Sequence, residues 1–293
     1  MKSILFLTAL CTATNMLFAQ NEKFLDPSTC PFQFGAPTTI TKKGDSFNHP
    51  RISPDGTKVI VTKTYTGVYV IDLKNTTPVQ TITTEHMAGF DAKWSKDGSE
   101  IRFKECAKQK NGKTTKELLK YNIMSKLVSN DNISYSKTDN TSKPREITVS
   151  LNIKRSMVEA SDGTRTWDIT KTPKVYYSYV ISPDQSKVLI HENGKMYVYA
   201  MDGSGMLCCL GNGHGQSWSP DGRYLVYFLG VSDGNVIIDS DIYICSSDGS
   251  KRWKMTNTPD KIEMWPNWSP QGDMIIYDED KSETIEFVRV IQK

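Results

Sequence analysis

Beyond Gln20 the 293-residue chain has no apolar run of the ~20 residues a membrane-spanning helix requires. Charge of one sign is also missing: 36 Lys and Arg stand against 33 Asp and Glu, a net charge of +3. That balance gives no argument for nucleic acid or an anionic membrane as partner. The locally basic stretch Lys104–Lys120 reads as a solvated hairpin face. Helical periodicity is almost absent, and Lys116-Glu-Leu-Leu-Lys120 reads as strand.

Catalytic motifs are scarce too. There is no Gly-x-Ser-x-Gly elbow. Gly211-Asn-Gly-His-Gly215 lacks the Gly-Lys-Ser/Thr ending of a phosphate loop. Asp239-Ser-Asp241 and Ser232-Asp-Gly234 lack the spacing and terminal Glu of a calcium loop, so they read as turn formers. Cysteine is sparse, with Cys30, Cys106, Cys208, Cys209 and Cys245 beyond the leading segment. An odd count forbids complete internal pairing, and no spacing matches a zinc site. A bridge from Cys208 or Cys209 to Cys245 is open, with buried thiols the alternative.

What the chain does have is a recurring turn. It reads Ile52-Ser-Pro-Asp-Gly56, Trp94-Ser-Lys-Asp-Gly98, Ile181-Ser-Pro-Asp-Gln185, Trp218-Ser-Pro-Asp-Gly222 and Trp268-Ser-Pro-Gln-Gly272. The third positions are 42, 87, 37 and 50 residues apart. The long step spans two periods, which places a degenerate sixth copy near Asp139-Asn140, with Asn130–Lys143 as its eroded blade. Pro presets φ, Asp bonds back to the backbone, and Gly accepts positive φ.

Each turn leads into a strand, as in Lys58-Val-Ile-Val-Thr62 or Tyr224-Leu-Val-Tyr-Phe228. A third strand follows, such as Gly67-Val-Tyr-Val-Ile71 or Met196-Tyr-Val-Tyr199. Asp202-Gly203 and Asp248-Gly249 mark further hairpins before a short fourth strand. Four strands per period of about forty residues is the mark of a propeller blade. The expected fold is all-β: a six-bladed β-propeller of four-stranded antiparallel blades. The last blade lacks a clear fourth strand, and Thr38-Thr-Ile-Thr41 is expected to supply it, closing the ring and covering an open edge.

These turns and strands resemble the bacterial TolB-type propeller family, with Trp218–Gly249 as the nearest copy of its blade. The resemblance implies the fold over nearly all of the mature chain. It does not fix function, because such blades occur in envelope proteins, peptidase accessory domains and some polysaccharide lyases. The separate α/β domain ahead of the Tol-system propeller has no counterpart here.

The leading segment has a cationic start at Lys2, an apolar stretch Ile4–Leu10 and small residues near Ala19. It reads as a signal peptide of residues 1–19. Residues 20–37 form an N-terminal extension, and 38–293 the propeller. A periplasmic or secreted monomer is expected.

The site is expected where the loops meet the first strand of each blade. The residues three to six places before the turn Pro are polar or aromatic. Those taken as ligand-binding are His49, Arg51, Asp91, Lys93, Tyr177, His214, Gln216, Trp265 and Asn267. Aromatic walls with a few directed polar groups suit a binding pocket. The expectation is a non-catalytic module, with no cofactor, that recognises an envelope protein, a peptide or a glycan at one rim.

Two alternatives stand beside it. Oligogalacturonate lyases resemble this propeller class and hold a divalent metal with His and Gln, which His49, His86, His214 and Gln216 could echo. A structural subunit of an envelope assembly would need no pocket.

Overall fold

The computed structural model describes residues 23–63, 66–86, 88–108, 114–131 and 147–293. The chain is an all-β, six-bladed β-propeller of antiparallel sheets. Among the described residues no helix is long and apolar enough to cross a membrane.

The first sheet runs Phe47–Ile52, Lys58–Lys63, Thr66–Asp72, Gln80–His86, each strand pairing with the next. The second runs Lys93–Trp94, Glu100–Lys108, Thr114–Asn122, Val128–Asn130, so Lys116–Lys120 is strand as expected. The third has three described strands, Thr148–Asn152, Met157–Ser161 and Thr166–Asp168. The degenerate turn expected at Asp139-Asn140 lies outside the described residues. The fourth sheet runs Tyr176–Ile181, Lys187–Glu192, Lys195–Ala200, Met206–Asn212. The fifth runs His214–Trp218, Tyr224–Ser232, Ile237–Ser246, Arg252–Lys254.

The sixth sheet runs Glu263–Trp268, Met274–Glu279, Thr284–Gln292, and the start of the chain completes it. Thr38 pairs with Phe287 and Thr39 with Glu286, as expected. Phe32–Phe34 also pairs with this last strand, so residues of the N-terminal extension join the sheet.

The chain divides into two compact units. One comprises Phe34–Thr141 and Trp265–Ile291; the other comprises Ser142–Met264 with the two terminal stretches. In the first unit, the second strand of sheet one sends alternate residues to opposite cores. Val59 and Val61 pack with Ile52, Ile71, Ile276 and Ile285, while Ile60 packs with Val68, Ile101, Phe103 and Tyr121. In the other unit, Val188 and Ile190 join Val158, Ile169 and Tyr199, while Leu189 joins Met196, Trp218, Leu225 and Tyr227. The two-residue period of a strand makes this division automatic. Each such side chain contributes about 1.5–3 kcal/mol by burial.

The turn chemistry is uniform. Ser53, Ser95, Ser182 and Ser219 each donate Oγ–H to the Asp two residues on, at 2.6 Å. The same oxygen accepts the N–H five residues on, as from Lys58 to Ser53 at 2.9 Å. In the last copy Gln271 replaces Asp, and Ser269 donates to Asp273 instead, at 2.9 Å. In two copies the Trp that opens the turn also spans to the preceding sheet, whereas Trp268 Nε1 donates to the Gly272 carbonyl of its own turn at 3.2 Å. Trp94 Nε1 donates to the Arg51 carbonyl at 2.9 Å, and Trp218 Nε1 to the Val180 carbonyl at 3.0 Å.

Cys30 and Cys245 are buried, Cys208 is half-buried and Cys209 exposed, and all four are free thiols. The Cys245 bridge weighed from sequence is not formed. Cys208 Sγ lies 3.4 Å from the Ser247 carbonyl instead.

Candidate functional site

The first strands carry a shared irregularity. Pairing skips between Asn48 and Arg51, and between His214 and Ser217. Three residues before the strand's last residue, the backbone turns left-handed: φ is +52° at His49, +62° at Gly215 and +52° at Trp265. Such bulges re-aim a side chain. Glycine takes this conformation without penalty, but His and Trp do not. Each of the two also precedes a proline, Pro50 or Pro266, both buried.

In the unit holding sheets one, two and six, the His49 and Trp265 rings meet edge to face, centroids 4.5 Å apart. His49 Nδ1 lies 3.1 Å from Asn48 Oδ1, which also accepts Thr62 Oγ1–H at 2.7 Å. Burial, and secondarily the Arg51 guanidinium, push the imidazole down to about 4, so it is neutral at pH 7. Beneath it Asp278 is 2% exposed. Burial, then the charge of Asp280, drive its carboxyl well above the usual range, against the His49 backbone N–H and Arg51. Asp280 is itself raised by burial and by Glu279 and Glu283.

The other expected residues of this unit divide by role. Asn267 Oδ1 accepts the Ile52 N–H at 3.0 Å, which ties neighbouring first strands together. Arg51 is half-buried and its carbonyl holds Trp94, while Lys93 is exposed in the two-residue strand beside it. Asp91 ends the short turn Ala88–Asp91, and its side chain lies outside what is described. His86 ends the outer strand of sheet one, opposite Thr66.

In the other unit, Tyr177 and His214 meet at His191, which the sequence does not single out. The His191 ring meets Tyr177 tilted at 6.0 Å and His214 edge to face at 5.0 Å, and His214 meets Phe228 at 5.7 Å. Burial and the neighbouring His191 lower His214 to about 4. Burial lowers His191, partly offset by ring bonds to the Gly213 and Gly194 backbone. Gln216 Nε2 donates to the Gly213 carbonyl at 3.0 Å.

The residues missed share one position. Thr62, His191, Phe228 and Asp278 each stand eight residues after the turn Pro, at the fifth residue of the second strand. Aligning that column as well as the first strands would have found them. Among the described residues, no three His, Cys, Asp or Glu side chains are assembled to hold a metal ion.

No family model matches the chain, and no curated protein matches it. Solved structures do. It resembles the β-propeller domain of Swd1 from Myceliophteria thermophila at a TM-score of 0.57 and 9% identity, over 88% of this chain and 99% of that one. An oligogalacturonate lyase in complex with manganese matches at 0.50 and 12% identity, over 87% and 79%. A putative TolB from Agrobacterium tumefaciens matches at 0.37 and 19% identity, over 82% and 72%. The likeness is one of fold. At these identities it carries no activity or ligand across.

Proposed function

We propose that this chain is an exported, non-catalytic binding module that recognises an envelope protein, a peptide or a glycan through residues at the ends of its first strands. One observation carries the reading: His49 and Trp265 hold left-handed backbone at a position that Gly215 fills freely in another sheet. Such strain costs of order 1–3 kcal/mol per residue and persists where surrounding structure enforces it, often at functional sites. Both residues remain partly exposed. A rigid edge-to-face pair loses little entropy on binding, and Trp and Arg are among the residue types that dominate interface energies.

The test is affinity capture from a cell-envelope extract, with the chain as bait and a His49→Ala, Arg51→Ala, Trp265→Ala variant as control. A partner held by the wild type and lost by the variant supports the reading. Equal capture by both overturns it.

A further inference from the structure

The cluster in the other unit offers a second recognition surface, and its chemistry is selective. Four rings form a continuous row, Tyr177–His191–His214–Phe228, with neighbouring centroids 5.0–6.0 Å apart. Tyr177 is 49% exposed, while His191 is 8% exposed. The His191 ring bonds to backbone at Gly213 and Gly194, yet its Nε2 is buried with no hydrogen-bond partner. With the ring N–H turned to that backbone, Nε2 is left as an unpaired acceptor. Leaving such an atom unpaired costs about 1–3 kcal/mol.

The row is also electrically quiet. Burial and His191 act on His214, and only burial and backbone bonds act on His191; no ionised side chain contributes at either ring. A charged ligand would have to shed its water here with no counter-charge to replace it. A ligand with a flat apolar face and a hydroxyl donor meets no such penalty. Its C–H face can lie on Tyr177, and its O–H can complete His191 Nε2.

We propose that Tyr177, His191 and His214 form a subsite for an uncharged sugar ring. Nε2 is buried in the present conformation, so occupancy requires the exposed Tyr177 ring to swing aside. This assigns a ligand class to part of the surface invoked under Proposed function and rests on that reading. It draws on side chains different from His49 and Trp265.

The test is an NMR titration of the histidine ring resonances with four neutral sugars: methyl glucoside, methyl galactoside, methyl mannoside and N-acetylglucosamine. Glucuronate and glucosamine serve as anionic and cationic counterparts. At least one neutral sugar should shift His191 and His214 saturably and bind about tenfold or more tightly than either charged ring. Tyr177→Ala, at an exposed position, should weaken that sugar about tenfold while the fold is kept, and His191→Gln should do the same if it folds. No shift with any neutral sugar, or equal binding of the charged rings, overturns the proposal. Protein capture lost on Trp265→Ala would still leave the broader reading standing in that case, so the two failures are distinguishable.

Discussion

The backbone N–H of His49 bonds to the carboxyl of Asp278, and burial drives that carboxyl well above its usual range while holding the imidazole down to about 4. An ionised pair would have been the simple expectation for His beside Asp. Here the low-dielectric surroundings act against charge on each partner. The imidazole is thereby left to meet Trp265 as a neutral ring, which is the form the binding proposal uses.

Backbone strain at this pair can be measured directly. At His49, substitution by Gly should be less harmful than substitution by Ala, because both delete the ring but only Gly relieves the left-handed backbone. The difference should be about 1 kcal/mol in urea unfolding. Ala as the more stable of the two would show that the position is not strained.

Acid should destabilise the fold through its histidines. His49 and His214 are held at about 4 against an ordinary 6.5. Between those values the unfolded chain binds protons that the folded chain refuses, so stability is present above pH 6.5 and falls as pH drops towards 4. Each ring contributes about 3 kcal/mol to that loss. His214→Gln should flatten the profile between pH 6.5 and 4, as read by unfolding at a series of pH values. An unchanged slope would contradict the assignment.

Glu263 works in the opposite sense. It is 1% exposed, accepts from the Thr256 hydroxyl, and is pushed up to about 7, first by burial and also by nearby Asp241. A raised carboxyl stabilises the fold below the unfolded value near 4.5, and that contribution is lost as pH rises through 7. Glu263→Gln keeps an acceptor for Thr256 and removes the titration. The variant should therefore lose less stability than the wild type between pH 4.5 and 8. If the two curves run parallel, Glu263 does not titrate in that range.

The Trp column supplies a control. Trp218 donates to the Val180 carbonyl and is 6% exposed. Trp218→Phe should cost about 1–3 kcal/mol, from the orphaned carbonyl and the missing ring volume. It should leave capture by the folded protein intact. Lost capture by a folded variant would place recognition in the packing layer.

The fold was largely legible because its devices are local. Ser53 to Asp55 and the positive φ of Gly56 are completed within a few residues, so each repeat announces its own turn. The closing contribution of Thr38 and Thr39 was legible from a deficit, since the last repeat needs a further strand. The role of Phe32–Phe34 was not, because no turn motif introduces it. The candidate site was legible only in part. His49, Trp265, Tyr177 and His214 lie on first strands, whose register the turn fixes. His191 and Asp278 come from second strands, where the surrounding run reads as plain core. Their burial as polar groups is what sets them apart, and burial of a single side chain is a tertiary fact. Asn267 illustrates the converse: a polar residue at the expected place serves to join strands.

The most direct test of the central claim is calorimetric titration of the captured partner into the wild-type chain and into Trp265→Ala. The account predicts binding weaker by about 2 kcal/mol or more, roughly thirtyfold, with unfolding stability little changed. Equal affinity for a folded variant would contradict it.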